Sequence, residues 1–351
     1  MDKMDKEKGR VFVGMSGGVD SSVAAYLLKK RGYEVIGVHL RCWNKNGCDE
    51  KEATDARLVA EHLNIPFYVF DMEKEYKERV VDYMIDGYRD GITPNPDVMC
   101  NKEIKFGLFM EKALSMGARF IATGHYARVK EMGGIYSIYR GKDGNKDQSY
   151  FLWTLNQDQL SKILFPLGDL KKDKVRKIAK KAGLHIADKK DSQGICFVGQ
   201  VSIDEFLGEY LSQKEGQIIN IRGEVVGTHR GAHFYTIGQR HGLGVALSEP
   251  YYVSKIDVNK NTVILAPEDD PSLFEREIKI SKVNMVPNQE TPQKVLVQIR
   301  YRQEPVSAIL SQKNGSFHID FDKPVKFVAP GQSAVFYNPK GQLIGGGIIN
   351  S

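Results

Sequence analysis

The stretch that most constrains this chain is Val11 to Tyr26, VFVGMSGGVDSSVAAY. The apolar run Val11 to Met15 predicts a buried strand. A helical pattern follows to Arg31, with Gly32 as its stop. A second apolar run, Glu34 to Leu40, completes a strand–loop–helix–strand unit of about thirty residues, the size of a βαβ crossover. Two glycines, three serines and an aspartate thus meet at a strand-to-helix junction. Glycine lets backbone amides approach a ligand, and a helix start carries positive partial charge. The junction reads as an anion site with phosphate as the expected anion; the plainer alternative is a tight turn that only caps a helix. It is neither a Walker A loop nor G-x-G-x-x-G, because the lysine of the first and the spacing of the second are missing.

Farther on, strands and helices alternate. Ala53 to Leu63 and Glu73 to Tyr88 read as helices and Pro66 to Phe70 as a strand. Asp97 to about Met116 reads as a helix and Arg119 to Ala122 as a strand. This order predicts an α/β fold with an open, mostly parallel sheet. Glu131 to Tyr139 predicts a β-hairpin turning at Gly133-Gly134, and Leu155 to Leu164 and Lys171 to Ala182 read as helices. From about Gly216 short strands take over, including Lys294 to Arg302, whose alternation leaves one face apolar and the other ending in Arg300 and Arg302. Closely spaced short strands suggest a small β-barrel at the end of the chain. The expected division is a catalytic domain over 1–212, a central β-rich domain over 213–275 and a C-terminal β-barrel over 276–351. A length of 351 residues accommodates that division.

The net charge of +6 permits a polyanionic partner without demanding one. Lys171 to Asp191 holds nine Lys/Arg against three Asp, a local +6; it is either a solvated amphipathic helix or an RNA-facing one. No run is long and apolar enough to span a membrane, and MDKMDKEKGR has no signal-peptide core. A cytoplasmic, monomeric protein is expected. His229, His233 and His241 share a glycine-rich loop, but no carboxylate at a supporting spacing accompanies them, so no metal site is assigned.

Four cysteines are too few for a disulfide scaffold. Cys100, in N-P-D-V-M-C, falls at a helix start, where the dipole favours a thiolate. Cys196, in K-D-S-Q-G-I-C-F, falls in a loop near Lys189 and Lys190. Both are candidates for chemistry; the alternative is a pair of buried structural cysteines. Cys42 and Cys48 read as incidental thiols, with accessory redox or cluster ligation as the alternative.

SGGVDSS resembles the PP-loop of the ATP pyrophosphatases, which cleave ATP between its α and β phosphates and adenylate a substrate. Together with GITPNPDVMCNKEIKFG, ATGHYAR, KDQSYFL, DSQGICFVG and GAHFYTIGQRHGLG, the chain resembles the tRNA-specific 2-thiouridylase family from about residue 11 to its end. The resemblance implies ATP- and Mg²⁺-dependent replacement of the 2-oxygen of the wobble uridine of tRNA by sulfur. It implies that Gly14, Met15, Ser16, Gly17, Gly18, Val19, Asp20 and Ser21 cradle ATP, with Leu40 and Gly124 also contacting the nucleotide. Cys196 would carry a persulfide supplied by an upstream donor or carrier protein. Cys100 would be the nucleophile that frees the sulfur, leaving a Cys100–Cys196 disulfide, and Asp97 could act as acid or base. Asn95, Pro96 and Asp97 would meet the target base. His125, Lys146, Asp147, Gln148, Arg300, Tyr301 and Gln332 would contact tRNA. Leu40 stands where methionine is frequent in the family, and Gln193 where threonine is common.

The chemistry is self-consistent. A uracil oxygen is a poor leaving group until adenylated, and the target base must leave its stack at a cost of a few kcal/mol. The rigid loop Thr93 to Pro96 is a suitable surface to receive it. Three other readings compete: an amide-forming PP-loop ligase, an ATP-gated RNA-binding protein, and a thiouridylase in which Asp97, Cys100 and Cys196 hold an iron–sulfur cluster.

Overall fold

The computed structural model describes residues 8–43, 48–191, 203–245 and 249–350. The chain divides into two compact units. The first comprises Met1–Val80, Asp97–Gly199 and Gly341–Leu343; the second comprises Val81–Pro96, Gln200–Lys340 and Ile344–Ser351.

The first unit is built on a five-stranded sheet of β1 (Arg10–Gly14), β2 (Glu34–Arg41), β3 (Phe67–Asp71), β4 (Phe120–Ala122) and β7 (Ile163–Leu164), in the order β3-β2-β1-β4-β7. Every pairing is parallel. The central strand β1 is buried along Val11, Phe12 and Val13, as its unbroken apolar run requires. Helix α1 (Val19–Lys30) lays Val23, Ala24 and Leu28 on this sheet, and α2 (Cys48–His62) contributes Ala56 and Val59 to the same core. The hairpin appears as read, with β5 (Ala127–Met132) and β6 (Ile135–Arg140) joined by Gly133 and Gly134 at φ +60° and +81°. Those angles suit the turn type that matches strand twist.

Two sequence expectations fail. Leu155 to Leu164 is not one helix. A capping box between Asn156 and Gln159 supports only Gln157–Leu160, after which Ile163 and Leu164 become the edge strand β7 beside Ile121 and Ala122. In the second unit, the strand expected over Lys294 to Arg302 ends at Gln298. Gln303 N–H bonds the Arg300 carbonyl and Arg302 takes φ +65°, so Arg300, Tyr301 and Arg302 lie in a turn and not on a strand face.

The second unit contains two sheets. In the four-stranded one, β10 (Tyr251–Asp257), β11 (Thr262–Pro267), β8 (Gly216–Asn220) and β9 (Val225–His229) follow in that order around Ile218, Val253, Val263 and Leu265. The other is a closed barrel of β12 (Phe274–Met285), β15 (Ser316–Lys326), β14 (Val306–Lys313), β13 (Gln293–Gln298), β16 (Ser333–Tyr337) and β17 (Leu343–Ile349), filled by Val297, Leu310, Ile319 and Phe336. Closure removes the exposed edges that an open six-stranded sheet would otherwise present. Among the described residues no helix is long and apolar enough to cross a membrane.

Candidate active site

The strand order reverses at β1, which pairs with β2 on one side and β4 on the other. Ligands of open parallel sheets bind outside the carboxyl ends of the strands at such a switch point. Met15 to Ser21 and Thr123 to Tyr126 both leave the sheet here. α1 begins at Val19 with Gly18 as its N-cap and no side-chain cap, which leaves its amides to another acceptor. Ser21 Oγ accepts from Ser16 N–H at 3.1 Å and folds the loop back over the helix start; Ser22 Oγ donates to the Gly18 carbonyl at 2.8 Å. Gly17 has φ +69°, and a Cβ on it would lie 2.3 Å from the carbonyl oxygen of Glu52. A Cβ on Gly124 would lie 2.7 Å from the Ser21 nitrogen. The β4 loop is therefore seated directly on the amide end of α1, a close approach that only glycine permits. Gly14 is half-buried, Met15 buried and Ser16 exposed, and Leu40 is half-buried at the carboxyl end of β2.

Around this corner runs a charged network absent from the sequence reading. The Asp20 carboxylate accepts from Tyr126 OH at 2.7 Å and from Lys172 Nζ at 2.7 Å. Lys172 also pairs with Asp191 at 2.8 Å, which in turn receives Lys146 at 2.6 Å and Arg176 at 2.7 Å. Burial pushes Asp191 up, but the hydrogen bonds and charges of Lys146 and Lys172 outweigh it and hold the carboxyl down at about 2. Lys189 donates to the Gly17 carbonyl at 3.0 Å and pairs with Asp55 at 2.7 Å. Burial raises Glu52, opposed chiefly by Lys189, and burial together with the nearby Asp20 carboxylate pushes Tyr126 up. Behind the loop, His39 bridges the Met15 carbonyl at 3.1 Å and Asp49 at 3.0 Å.

The basic segment is thereby split. Lys172, Arg176 and Lys189 turn inward to carboxylates or the loop, whereas Lys171, Lys174, Lys177, Lys180, Lys181 and Lys190 are exposed. Lys172 follows the 3.6-residue spacing of the helix's buried positions, Val175 and Ala179, and this was the legible sign that it faces inward.

Cys100 is buried, 3% exposed, in a helical stretch that starts at Pro96 and has π geometry over Cys100–Leu108. Asp97, half-buried, lies one turn earlier. The next residue, Asn101, reaches the Phe151 carbonyl at 3.4 Å. His125, expected to contact tRNA, is buried against Phe106 and Phe165 and bonded to Thr123 Oγ1 at 2.7 Å. Burial and then Lys105 hold its imidazole well below the ordinary histidine range. Asp147 is likewise internal: it accepts from Arg140, from the Gly141 and Ser149 amides and from the Ser149 hydroxyl. Gln148 exchanges hydrogen bonds with the backbone of Tyr126. Cys196 and Gln193 lie outside the described residues, and so does any pairing of Cys196 with Cys100.

In the second unit the Thr93–Pro96 loop is clamped. Gln332 Nε2 donates to the Thr93 carbonyl at 2.9 Å and to the Pro94 carbonyl at 3.2 Å, and Thr93 N–H donates to Pro330 at 2.8 Å. Thr93 Oγ1 also bonds Thr236 Oγ1 at 3.2 Å. Asn95 and Pro96 are buried. Arg300 donates to the Ile237 carbonyl, and Arg302 stacks on Tyr301 at 5.3 Å.

Family models match the chain in three consecutive blocks: a tRNA methyl transferase HUP domain at residues 9–200, a tRNA methyl transferase PRC-barrel domain at 204–267 and an aminomethyltransferase β-barrel domain at 275–349. The tRNA-specific 2-thiouridylase MnmA 1 of Geobacillus kaustophilus (strain HTA426) is 47% identical over 344 residues, 95% of this chain and 93% of that one. The tRNA-specific 2-thiouridylase MnmA of Listeria monocytogenes serovar 1/2a is 45% identical over 352 residues, 97% and 95% of the two chains. Among solved structures, NMN synthetase from Francisella tularensis aligns with a TM-score of 0.35 and 22% identity, over 58% of this chain and 74% of that one. With almost half of its residues shared from end to end with the 2-thiouridylases, the chain belongs to the tRNA-specific 2-thiouridylase family.

Proposed function

We propose that the chain is an ATP-dependent sulfurtransferase that replaces the 2-oxygen of the wobble uridine of tRNA with sulfur. The end-to-end likeness to named 2-thiouridylases carries the reading. The glycine-lined amide corner supports it, because a phosphate cradle serves adenylation and would be idle in a methyl transfer.

Uracil O2 attacks the α-phosphate of ATP, the bond to the β-phosphate breaks, and pyrophosphate departs. The amides at the start of α1, from Gly14 to Ser21, hold the phosphates, with Gly124 and Leu40 beside the nucleotide. A persulfide on Cys196 then attacks C2, and the C2–O bond breaks to release AMP. The Cys100 thiolate attacks Cys196 Sγ, so that the sulfur–sulfur bond to the substrate breaks. Thiocarbonyl and a Cys100–Cys196 disulfide result, and an external thiol reduces the disulfide. Asp97 takes and returns protons during these steps. An upstream persulfide donor reloads Cys196.

Asp20 is committed to Tyr126 and Lys172, and among the described residues no three His, Cys, Asp or Glu side chains gather as a cation cage. Mg²⁺ would accordingly arrive held by the phosphates, and would neutralise charge on the departing pyrophosphate. Asn95, Pro96 and Asp97 receive the base, on a loop that Gln332 fixes. The exposed lysines of the basic helix, Lys146, Arg300 and Tyr301 meet tRNA; His125, Asp147 and Gln148 act from inside. The parallel sheet, the four-stranded sheet and the barrel support a division at 1–212, 213–275 and 276–351.

The test is nucleoside mass spectrometry of tRNA incubated with protein, ATP and a labelled persulfide donor. Labelled 2-thiouridine is expected from the wild type and none from Cys100→Ser or Cys196→Ser, with ATP binding retained. Folded protein that binds ATP and yields no 2-thiouridine overturns the reading. Iron analysis of the same active, anaerobically purified sample addresses the cluster alternative, which requires Cys196.

A further inference from the structure

The hairpin β5–β6 belongs to none of the sites described above. Arg128, Lys130 and Met132 alternate onto one face of β5, opposite Tyr139, Ser137 and Ile135 of β6. Both cations lie by the ring of Tyr139, which stands opposite Arg128 in the ladder: Lys130 Nζ is 4.8 Å and the Arg128 guanidinium 6.0 Å from the ring centroid. Among the described residues neither cation has a carboxylate within salt-bridge distance, whereas the neighbouring Arg140 is neutralised by Asp147 at 2.7 Å. Glu131 falls on the other face, opposite Tyr136. Lys130 is exposed and Met132, at the tip, is 72% exposed.

We propose that this face of the hairpin, through Arg128 and Lys130 held on Tyr139, is a phosphate-binding surface for the tRNA substrate. The inference rests on the tRNA reading above and extends it to a part of the chain outside the residues assigned there. Two cations without carboxylate partners on a narrow two-stranded ribbon suit a backbone of regularly spaced phosphates. The aromatic ring keeps their heads in place before the ligand arrives, which reduces what ordering costs on binding. The position fits the chemistry. β5 begins one residue after Tyr126, whose hydroxyl bonds Asp20 at the ATP corner. Lys130 is four residues farther along, about 13 Å at 3.3 Å per residue. RNA that delivers a base to the corner therefore has backbone within reach of the ribbon.

The test is tRNA binding by fluorescence anisotropy from 50 to 300 mM salt, comparing wild type with Arg128→Gln/Lys130→Gln and with Tyr139→Leu. Loss of two phosphate contacts should weaken binding about tenfold or more at the lowest salt. It should also flatten the log–log salt dependence by about 1.4 to 1.8. Tyr139→Leu should weaken binding only about two- to fivefold and leave the salt slope unchanged, because the charges remain. Lys130→Gln alone, at an exposed position that leaves the Arg128 Nε hydrogen bond to the Arg140 carbonyl intact, should lower the slope by about half as much. ATP affinity should match wild type in all three. Wild-type tRNA affinity and slope in the folded double variant overturn the proposal; so does a loss confined to binding of the persulfide-donating protein, which would assign the face to a protein partner. If wild type itself binds no tRNA, the reading beneath the proposal fails instead.

Discussion

Replacing Gly17 by alanine should damage the protein far more than replacing Gly18, although the two stand together in one motif. Gly17 has φ +69°, where an L-residue costs about 1–2 kcal/mol. Its added methyl would also lie 2.3 Å from the Glu52 carbonyl oxygen, which is fixed inside α2 and cannot rotate aside. Making room has the character of overpacking, about 1–3 kcal/mol. The combined penalty is about 2–5 kcal/mol. Gly18 has φ −96° and ψ 169°, ordinary extended backbone, and its added Cβ would meet only Ser16 Oγ at 3.4 Å. As an N-cap it loses under about 1 kcal/mol to alanine. At about 2–4 °C per kcal/mol for a domain of this size, scanning calorimetry should show a fall of about 4–20 °C for Gly17→Ala and of less than about 4 °C for Gly18→Ala. The same scans with saturating ATP should raise the transition of the wild type and scarcely that of Gly17→Ala. Equal shifts for the two variants, or a larger one for Gly18→Ala, would refute the reasoning.

Other outcomes follow from the same geometry. Gly124→Ala places a methyl 2.7 Å from the Ser21 nitrogen and should weaken ATP binding by about 5- to 150-fold, an overpacking cost of about 1–3 kcal/mol. Gly144→Ala, with nothing within 4 Å, is the matched control, and isothermal titration reads both. Asp191 sits at about 2 in the folded protein against an ordinary 3.8, so its contribution to stability is present above the higher value and is lost as pH falls through the lower. The gap in urea midpoint between wild type and Asp191→Asn should therefore shrink on acidification from pH 5 toward 2; a constant gap would contradict this assignment. Gln332→Leu leaves the Thr93 and Pro94 carbonyls without their donor and should cost about 1–3 kcal/mol in urea unfolding of the second unit.

Much of the first unit was legible because its signals are local. The apolar run at β1, the glycines after it and the Gly133-Gly134 turn each determine their own backbone. β7 was missed because two residues gain strand character only from Ile121 and Ala122 beside them, and a period of 3.6 fits Leu155 to Leu164 equally well. The alternation through Arg302 misled for the opposite reason: composition continues past Gln298 while the backbone turns. At the site, the glycine-lined strand-to-helix junction could be read from residue types. The partners of Tyr126, Lys172 and Asp191 could not: helical spacing puts Lys172 on the inner face with Val175 and Ala179, but it does not show which distant carboxylates Lys172 meets there. His125 and Asp147 look like surface groups in sequence and are buried in the fold.

Asp20 finds its partners far along the chain: Tyr126 is 106 residues away and Lys172 is 152. During synthesis neither contact exists until the later segment has left the ribosome. Loop-closure entropy grows only logarithmically, so the longer closure costs merely about 0.3 kcal/mol more than the shorter. The delay is therefore one of timing and not of thermodynamic difficulty. An emerging chain holds the whole SGGVDSS motif long before Asp20 has either partner, and the Asp20–Tyr126–Lys172 contacts become a late sign that the first unit has been completed through Lys172.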